Sequence, residues 1–238
     1  MKGKASISVV LPTYNESGNI EELIEQIRKF LGKETEIIVS DDNSPDGTWK
    51  IVTEMAKKDK NLKLLRRFKN KGVGPAIYDG VMKSKGEYVV WMDADLTMPP
   101  SLLPRMVNLL KDYDVVVGSR YAQGGGDKRS FLRVITSVAI NRVANLILNF
   151  KVLDYDSGFI AVRKSVFEKV RFSPNGHGEY CIEFLYKCTK KGYSVKEVGY
   201  VFTERKVGES KTSQYLYSIF LHGFKYLLKI LKLRFSVK

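Results

Sequence analysis

The sequence predicts an α/β protein: a mostly parallel sheet with helices on both faces, followed by an amphipathic C-terminal helix. Two observations carry that prediction. Through the first half of the 238 residues, short apolar runs alternate with segments whose apolar positions recur at helical spacing. Repeated strand–helix–strand units of this kind build parallel sheets covered on both sides. Polar clusters then close three of the predicted strands, at Pro12–Glu16, Asp41–Asp46 and Asp93–Asp95. Ligands of such sheets sit outside the carboxyl ends of the strands.

Ser6–Leu11 reads as the first strand, and Asn19–Leu31 as a helix with Ile20, Leu23, Ile24, Ile27 and Leu31 on one face. Glu36–Ser40 is the second strand. Asp46 is placed to cap a helix from Gly47 to Lys57. A strand at Leu62–Leu65, a helix at Gly74–Lys83, a strand at Tyr88–Met92, a helix after Pro100 and a strand at Asp114–Gly118 complete the series. The second half differs. Gly124-Gly125-Gly126 interrupts the pattern, and Phe131–Phe150 is a long apolar helix. Asp154–Val162 and Val195–Phe202 read as strands with a helix at Tyr180–Lys190 between them. Residues 1–212 are expected to form one domain. Residues 213–238 form a basic helix whose stretch from Gln214 to Lys238 carries no acid. Ile219, Phe220, Leu227, Leu228 and Leu231 are among its apolar positions, which suits a helix lying in a membrane interface. The competing reading packs the same helix on the core with a wet basic face.

A net charge of +14 points to an anionic partner: nucleic acid, an anionic membrane or a phosphorylated substrate. Nucleic acid is disfavoured, because aromatic and basic residues do not interleave on an evident platform. Cys181 and Cys188 lack metal-ligand spacing and read as free core thiols, consistent with a reducing cytosol. No signal peptide is expected, and no run of about 18 apolar residues suggests a bilayer span. His177 and His222 match no metal or triad pattern and read as structural.

The chemistry concentrates at Asp93-Ala94-Asp95. Carboxylates two positions apart on an extended backbone point the same way. At a strand end they suit a hard divalent cation, which takes one or two carboxylates plus substrate phosphates.

LPTYNE at Leu11–Glu16, DDNSPDGT at Asp41–Thr48 and DADL at Asp93–Leu96 resemble family-2 glycosyltransferases of the GT-A fold, a Rossmann-like sheet. GSRY at Gly118–Tyr121, DSGF at Asp156–Phe159 and ERKVGESK at Glu204–Lys211 narrow the resemblance to dolichyl-phosphate mannosyltransferases and their polyprenyl-phosphate relatives. It implies an inverting, metal-dependent transfer of a hexose to a polyprenyl or dolichyl phosphate at the cytosolic membrane face. The implied donor is GDP-mannose and the cofactor Mg²⁺ or Mn²⁺. Asp93 and Asp95 would hold the metal, with Thr97 in the place where relatives often carry a glutamine ligand. Pro12, Tyr14, Glu16, Asp41, Asp42, Asp93, Ala94, Asp95, Arg205 and Lys211 would bind the nucleotide sugar. Arg120, Arg133 and Ser137 would hold the acceptor phosphate, with Asp95, Arg120 and Arg133 as the catalytic set. Arg129, Arg133 and Ser137 also recur every four residues along one helix face.

A lipid phosphate, with its second pKa about 6, is already a nucleophile and requires no general base. Asp156 is the candidate base if the acceptor is a hydroxyl. Rival readings keep the fold but use another donor such as UDP-glucose or a glycan hydroxyl acceptor, or make the chain a basic nucleic-acid-binding protein or a silent scaffold. Relatives often carry transmembrane helices after this point, and a small membrane-anchoring subunit is a possible partner here.

Overall fold

The computed structural model describes residues 6–171, 178–205 and 216–236, with side chains from 226 onward in the last segment. Four strands, β1 (Ile7–Thr13), β2 (Glu36–Asp41), β3 (Leu62–Arg66) and β4 (Tyr88–Trp91), alternate with α1 (Ile20–Leu31), α2 (Thr48–Ala56) and α3 (Val73–Lys83). A single turn of 3₁₀ helix leads into α4 (Leu103–Leu109). Then come β5 (Val115–Ser119), the two-residue β6 (Gly126–Asp127), α5 (Phe131–Ile147) and β7 (Ile160–Arg163). The described chain closes with α6 (Glu179–Lys190), β8 (Val195–Gly199), β9 (Val201–Phe202) and α7 (Leu216–Ser236).

Among the described residues, seven strands form one sheet in the order β3-β2-β1-β4-β7-β5-β8. Every neighbouring pair is parallel except those of β7, which runs antiparallel to both β4 and β5. β6 and β9 pair separately, as a parallel ribbon. Strand periodicity explains how the sheet is covered, since successive side chains point to opposite faces. Val9 and Leu11 of β1, with Ile37 and Val39 of β2 and Val90 of β4, pack against Leu23 and Ile27 of α1, Val52 of α2 and Met106 of α4. Val10, Ile38, Val89 and Trp91 point the other way, toward Ile77 and Val81 of α3, Ala144 of α5, Phe184 of α6, and Tyr226 and Ile230 of α7.

Several boundaries move from their predicted places, many by one or two residues. Asp154–Val162 is strand only from Ile160, because Asp154 to Phe159 forms a polar loop over the sheet edge. Val195–Phe202 breaks after Gly199, where β9 leaves the main sheet to pair with β6. The long helix stops at Ile147 rather than Phe150 and starts at Phe131, so Arg129 precedes it. Gly47, with φ of 86°, sits before α2 in the left-handed region that suits glycine. Gly47, not Asp46, is therefore the cap residue, and the Asp46 carboxylate one position outside accepts the Thr48 N–H at 2.9 Å.

α7 is no free appendage. It packs on α5 and α6, and Tyr226, Ile230 and Leu233, at helical spacing, are buried in the larger core. Lys229 ion-pairs with Glu183 of α6. Leu228 and Phe235 stay exposed, at 51% and 85%. No helix among the described residues is long and apolar enough to cross a membrane.

Candidate active site

The order of the strands reverses between β1 and β4, and the segments leaving those two strands line the same cavity of about 980 Å³. Pro12, Tyr14 and Glu16 follow or end β1, Asp42 follows β2, and Asp93, Ala94, Asp95 and Thr97 follow β4. β5 delivers Arg120. Because β7 is antiparallel, the loop before it lies at the edge where the parallel strands end, and so Asp156 joins the same cavity. Arg133 and Ser137 line the wall from α5, and Arg205 lies beyond β9. Asp41 is fully buried and is not part of that lining. It accepts hydrogen bonds from Thr13 Oγ1 at 2.8 Å, Ser44 N–H at 2.9 Å and Ser44 Oγ at 2.6 Å. Lys211 lies outside the described residues, as do His177 and the side chain of His222.

The acidic end is held by short-range geometry. Leu96 has φ of 62°, a left-handed value rare for a branched side chain and costing about 1–2 kcal/mol. Thr97 compensates locally: its N–H and Oγ1 both donate to Asp95 Oδ1, at 3.1 and 2.6 Å. The other Asp95 oxygen meets Arg205 Nε at 2.8 Å, and Arg205 Nη1 reaches Glu16 Oε1 at 3.3 Å. The guanidinium therefore bridges two carboxylates. Burial, with Asp95 beside it, pushes the Asp93 carboxyl up to about 7 in the face of Arg205. A site that raises a carboxylate this far favours an added positive charge.

Asp93 and Asp95 supply two hard oxygen donors, and among the described residues no group of three or more His, Cys, Asp or Glu could hold a metal by itself. Two carboxylates with room left for phosphate oxygens fit Mg²⁺ or Mn²⁺. Thr97 Oγ1, buried and donating to Asp95, stands behind the pair.

Beyond β2, Asp42 accepts the Gly72 N–H at 2.6 Å and pairs with Arg67. Burial still raises its pKa above the ordinary value. Tyr14 is 40% exposed, with the Lys71 ammonium 5.9 Å from its ring centre.

The basic end contains three arginines in different states. Arg120 is buried and clamped by Asp154, through Nε at 2.9 Å and Nη2 at 2.6 Å, and its backbone N–H donates to the same carboxylate at 2.9 Å. Burial opposes its charge, but Asp154 more than compensates, and its pKa lies well above the ordinary value. Arg129 is forked onto Asp127, with its closest contact at 2.5 Å. Arg133, half-buried, has no ion-pair partner among the described residues. Ser137 Oγ accepts the Tyr121 hydroxyl at 3.1 Å.

Asp156 lies between the two ends. Its Oδ2 is 3.7 Å from Arg120 Nη2, its N–H donates to Asn141 Oδ1 at 3.3 Å, and its Oδ1 accepts the Tyr226 hydroxyl of α7 at 3.0 Å. Burial raises its pKa despite Arg120. Asp154, Arg67, Asn141 and Tyr226 escaped the sequence reading. Asp154 stands two residues before Asp156 in Asp-Tyr-Asp, a spacing that invites the same suspicion as Asp93-Ala94-Asp95. The other three carry no local signal.

Residues 8–171 match glycosyl transferase family 2. The chain belongs to that family. It is 39% identical over 211 residues to the dolichol-phosphate mannosyltransferase of Pyrococcus furiosus, a match covering 86% of this chain and 58% of that protein. It is 32% identical to the polyprenol monophosphomannose synthase of Mycolicibacterium smegmatis (86% and 80% covered) and 33% identical to the dolichol-phosphate mannosyltransferase of Saccharomyces cerevisiae (87% and 80%). Against the Pyrococcus relative the chain thus spans less than two thirds of the length. Among solved structures, glucosyl-3-phosphoglycerate synthase from Mycobacterium tuberculosis with Mn²⁺, UDP and glucosyl-3-phosphoglycerate superposes with a TM-score of 0.72 at 21% identity, covering 100% of this chain and 82% of that one. The same enzyme with Mg²⁺ and UDP gives 0.73 at 20% identity, with the same coverage. The likeness is one of fold, and the fold is GT-A.

Proposed function

We propose that this family-2 chain moves a hexose from a nucleotide sugar to a polyprenyl phosphate, with inversion, and that GDP-mannose and dolichyl phosphate are the pair it uses. The observation that carries the reading is one cavity whose lining holds the acidic pair Asp93 and Asp95 together with Ser137 and a cation, Arg133, that has no ion-pair partner among the described residues. Names of relatives that transfer to dolichol or polyprenol phosphate support it.

In this reading Asp93 and Asp95 hold Mg²⁺ or Mn²⁺, and the metal, when bound, neutralises charge developing on the departing diphosphate. Pro12, Tyr14, Asp42 and Lys71 line the end where base and ribose lie, with Asp41 bracing the strand end beneath. Arg205, released from Asp95 and Glu16, turns to the diphosphate, helped by Lys211. Arg133 and Ser137 bind the acceptor phosphate, and Arg120, fixed by Asp154, adds positive potential behind it. An oxygen of that phosphate attacks the anomeric carbon opposite the nucleotide, the carbon–oxygen bond to the diphosphate breaks, and no proton need be removed. The lipid reaches the cavity from a membrane surface at the cytosolic side, against which exposed apolar residues of α5 and α7 lie. A small membrane subunit would add anchorage.

Asp156 favours a second reading. A half-buried carboxyl with a raised pKa in the cavity suits a general base, which a hydroxyl acceptor requires. UDP-glucose as donor stays within that reading.

The test is a screen of nucleotide sugars with Mn²⁺ or Mg²⁺, followed by transfer to a short-chain polyprenyl phosphate. Asp95→Ala should abolish cation-dependent nucleotide binding in a chain that still folds. Undiminished turnover by that variant, or full activity in excess chelator, removes the metal from the reaction. Transfer to a sugar hydroxyl but not to the lipid phosphate establishes the second reading.

A further inference from the structure

Asp156 is gripped from three elements, and only one grip reaches the cavity from the far end of the chain. Asn141 of α5 holds its backbone, Arg120 after β5 faces Oδ2, and Tyr226 of α7 donates to Oδ1 at 3.0 Å. Tyr226 is 9% exposed and belongs to the core, so its ring is fixed by packing and its hydroxyl has a set direction. Gly178, at the start of α6, completes the arrangement. A Cβ there would collide with the Tyr226 hydroxyl and come within 2.8 Å of Asp156 Oδ1. Its φ of −125° suits any residue, so the side chain is excluded by this contact and not by backbone strain. Three segments thus close on one carboxylate, between the acidic pair and Arg120.

We infer that Tyr226 is a positioning residue for transfer: its hydroxyl, carried into the cavity by the basic helix α7, aims the Asp156 carboxylate at the space where the hexose crosses from donor to acceptor. The inference rests on the proposed glycosyl transfer. A carboxylate held there accepts hydrogen bonds from sugar hydroxyls in either acceptor reading, and loss of its orientation slows the chemical step more than donor binding. The seating of α7 is then a condition of turnover, because no other element supplies that hydroxyl.

The experiment is a double-mutant cycle on the full chain with Mn²⁺, GDP-mannose and a short-chain polyprenyl phosphate, reading kcat, donor KM and GDP release. Tyr226→Phe keeps the ring and should lower kcat about tenfold, the scale of a lost hydrogen bond to a charged group. Donor KM should stay within about twofold, because the lost contact lies away from the diphosphate. In an Asp156→Asn background the same change should have little further effect, since coupled residues are not additive. Gly178→Ala, which displaces the hydroxyl without removing it, should reproduce the kcat loss. An unchanged kcat in Tyr226→Phe overturns the inference. So does the same fold-loss with and without Asp156, which marks a purely structural role. If the wild type releases GDP only to water or a hydroxyl acceptor, the lipid-phosphate reading fails while the cycle, run on that release, still decides the role of Tyr226. A wild type that turns over no nucleotide sugar overturns both.

Discussion

Arg120 and Arg133 were indistinguishable as letters in the sequence, and their surroundings give them opposite consequences. Arg120 and Asp154 are both buried, with side chains 5% and 0% exposed. Removing one member of such a pair leaves an uncompensated buried charge, which costs about 3–5 kcal/mol. Asp154→Ala should therefore lower stability by about that much, read as a fall in denaturant midpoint, and activity should fall through lost fold. Arg133 is half-buried with no described ion-pair partner. Arg133→Ala should leave stability within about 0.5 kcal/mol, as surface changes do. It should cut use of a polyprenyl phosphate by roughly 10- to 150-fold, the range for one charge-assisted contact of about 1.5–3 kcal/mol. Lysine should rescue in part, since a point charge cannot copy the guanidinium fork. If transfer survives and donor affinity collapses, Arg133 serves the nucleotide, and Asp156 as base becomes the better account.

Helix α2 offers a test at the scale of one element. Asp46 accepts from Thr48 N–H, Thr48 Oγ1 and Ser17 N–H, so it ties the α2 start to the loop after β1. Burial opposes its ionisation, but these hydrogen bonds outweigh it and hold the pKa below 3.8. A lowered folded pKa contributes stability that is present above the unfolded value and is lost as pH falls through the folded one. Asp46→Ala should cost about 1 kcal/mol near neutral pH, as lost side-chain contacts at a helix start do. The difference from wild type should shrink below about pH 3.8 and vanish well under the lowered pKa; a difference that stays constant with pH would refute the account. The contact at the α2 start was legible beforehand because it acts within two positions of its own sequence, although the cap residue itself is Gly47. So were the apolar runs of β1 to β5, three of which end in polar clusters, and with them most of the cavity floor. The direction of β7 was not legible, because alternation tells which face a side chain takes and says nothing of which way a neighbour runs. Asp154 and Tyr226 stayed hidden for a related reason: their partners lie 34 and 70 residues away, and no local pattern encodes such a contact.

Across the whole molecule, exposed apolar side chains gather on two neighbouring helices. Phe131, Leu132 and Ile135 of α5 are 79%, 45% and 47% exposed, and Leu228, Leu231 and Phe235 of α7 are 51%, 39% and 85%. Lys232 and Arg234 stand exposed among the latter. Leu228→Ser with Phe235→Ser should weaken binding to vesicles containing anionic lipid at least about tenfold, since each side chain is worth about 1.5–3 kcal/mol when buried. The thermal transition should hardly move. Salt should weaken the wild type's binding through screening. Equal vesicle affinity for both proteins would show that another surface meets the membrane. The antiparallel strand β7 has a different consequence, in the order of events as the chain folds. β1 to β4 find all their mutual partners within the first 91 residues. β5 pairs only with β7 and β8, both made later, and β7 alone joins it to β4. Val115–Ser119 must therefore wait for a strand some forty residues downstream, and long-range pairing of this kind is slow. Pulsed hydrogen exchange during refolding should find amides of β1, β2 and β4 protected early. Those of β5 and β7 should gain protection together in a later phase, and Arg120 meets Asp154 only then.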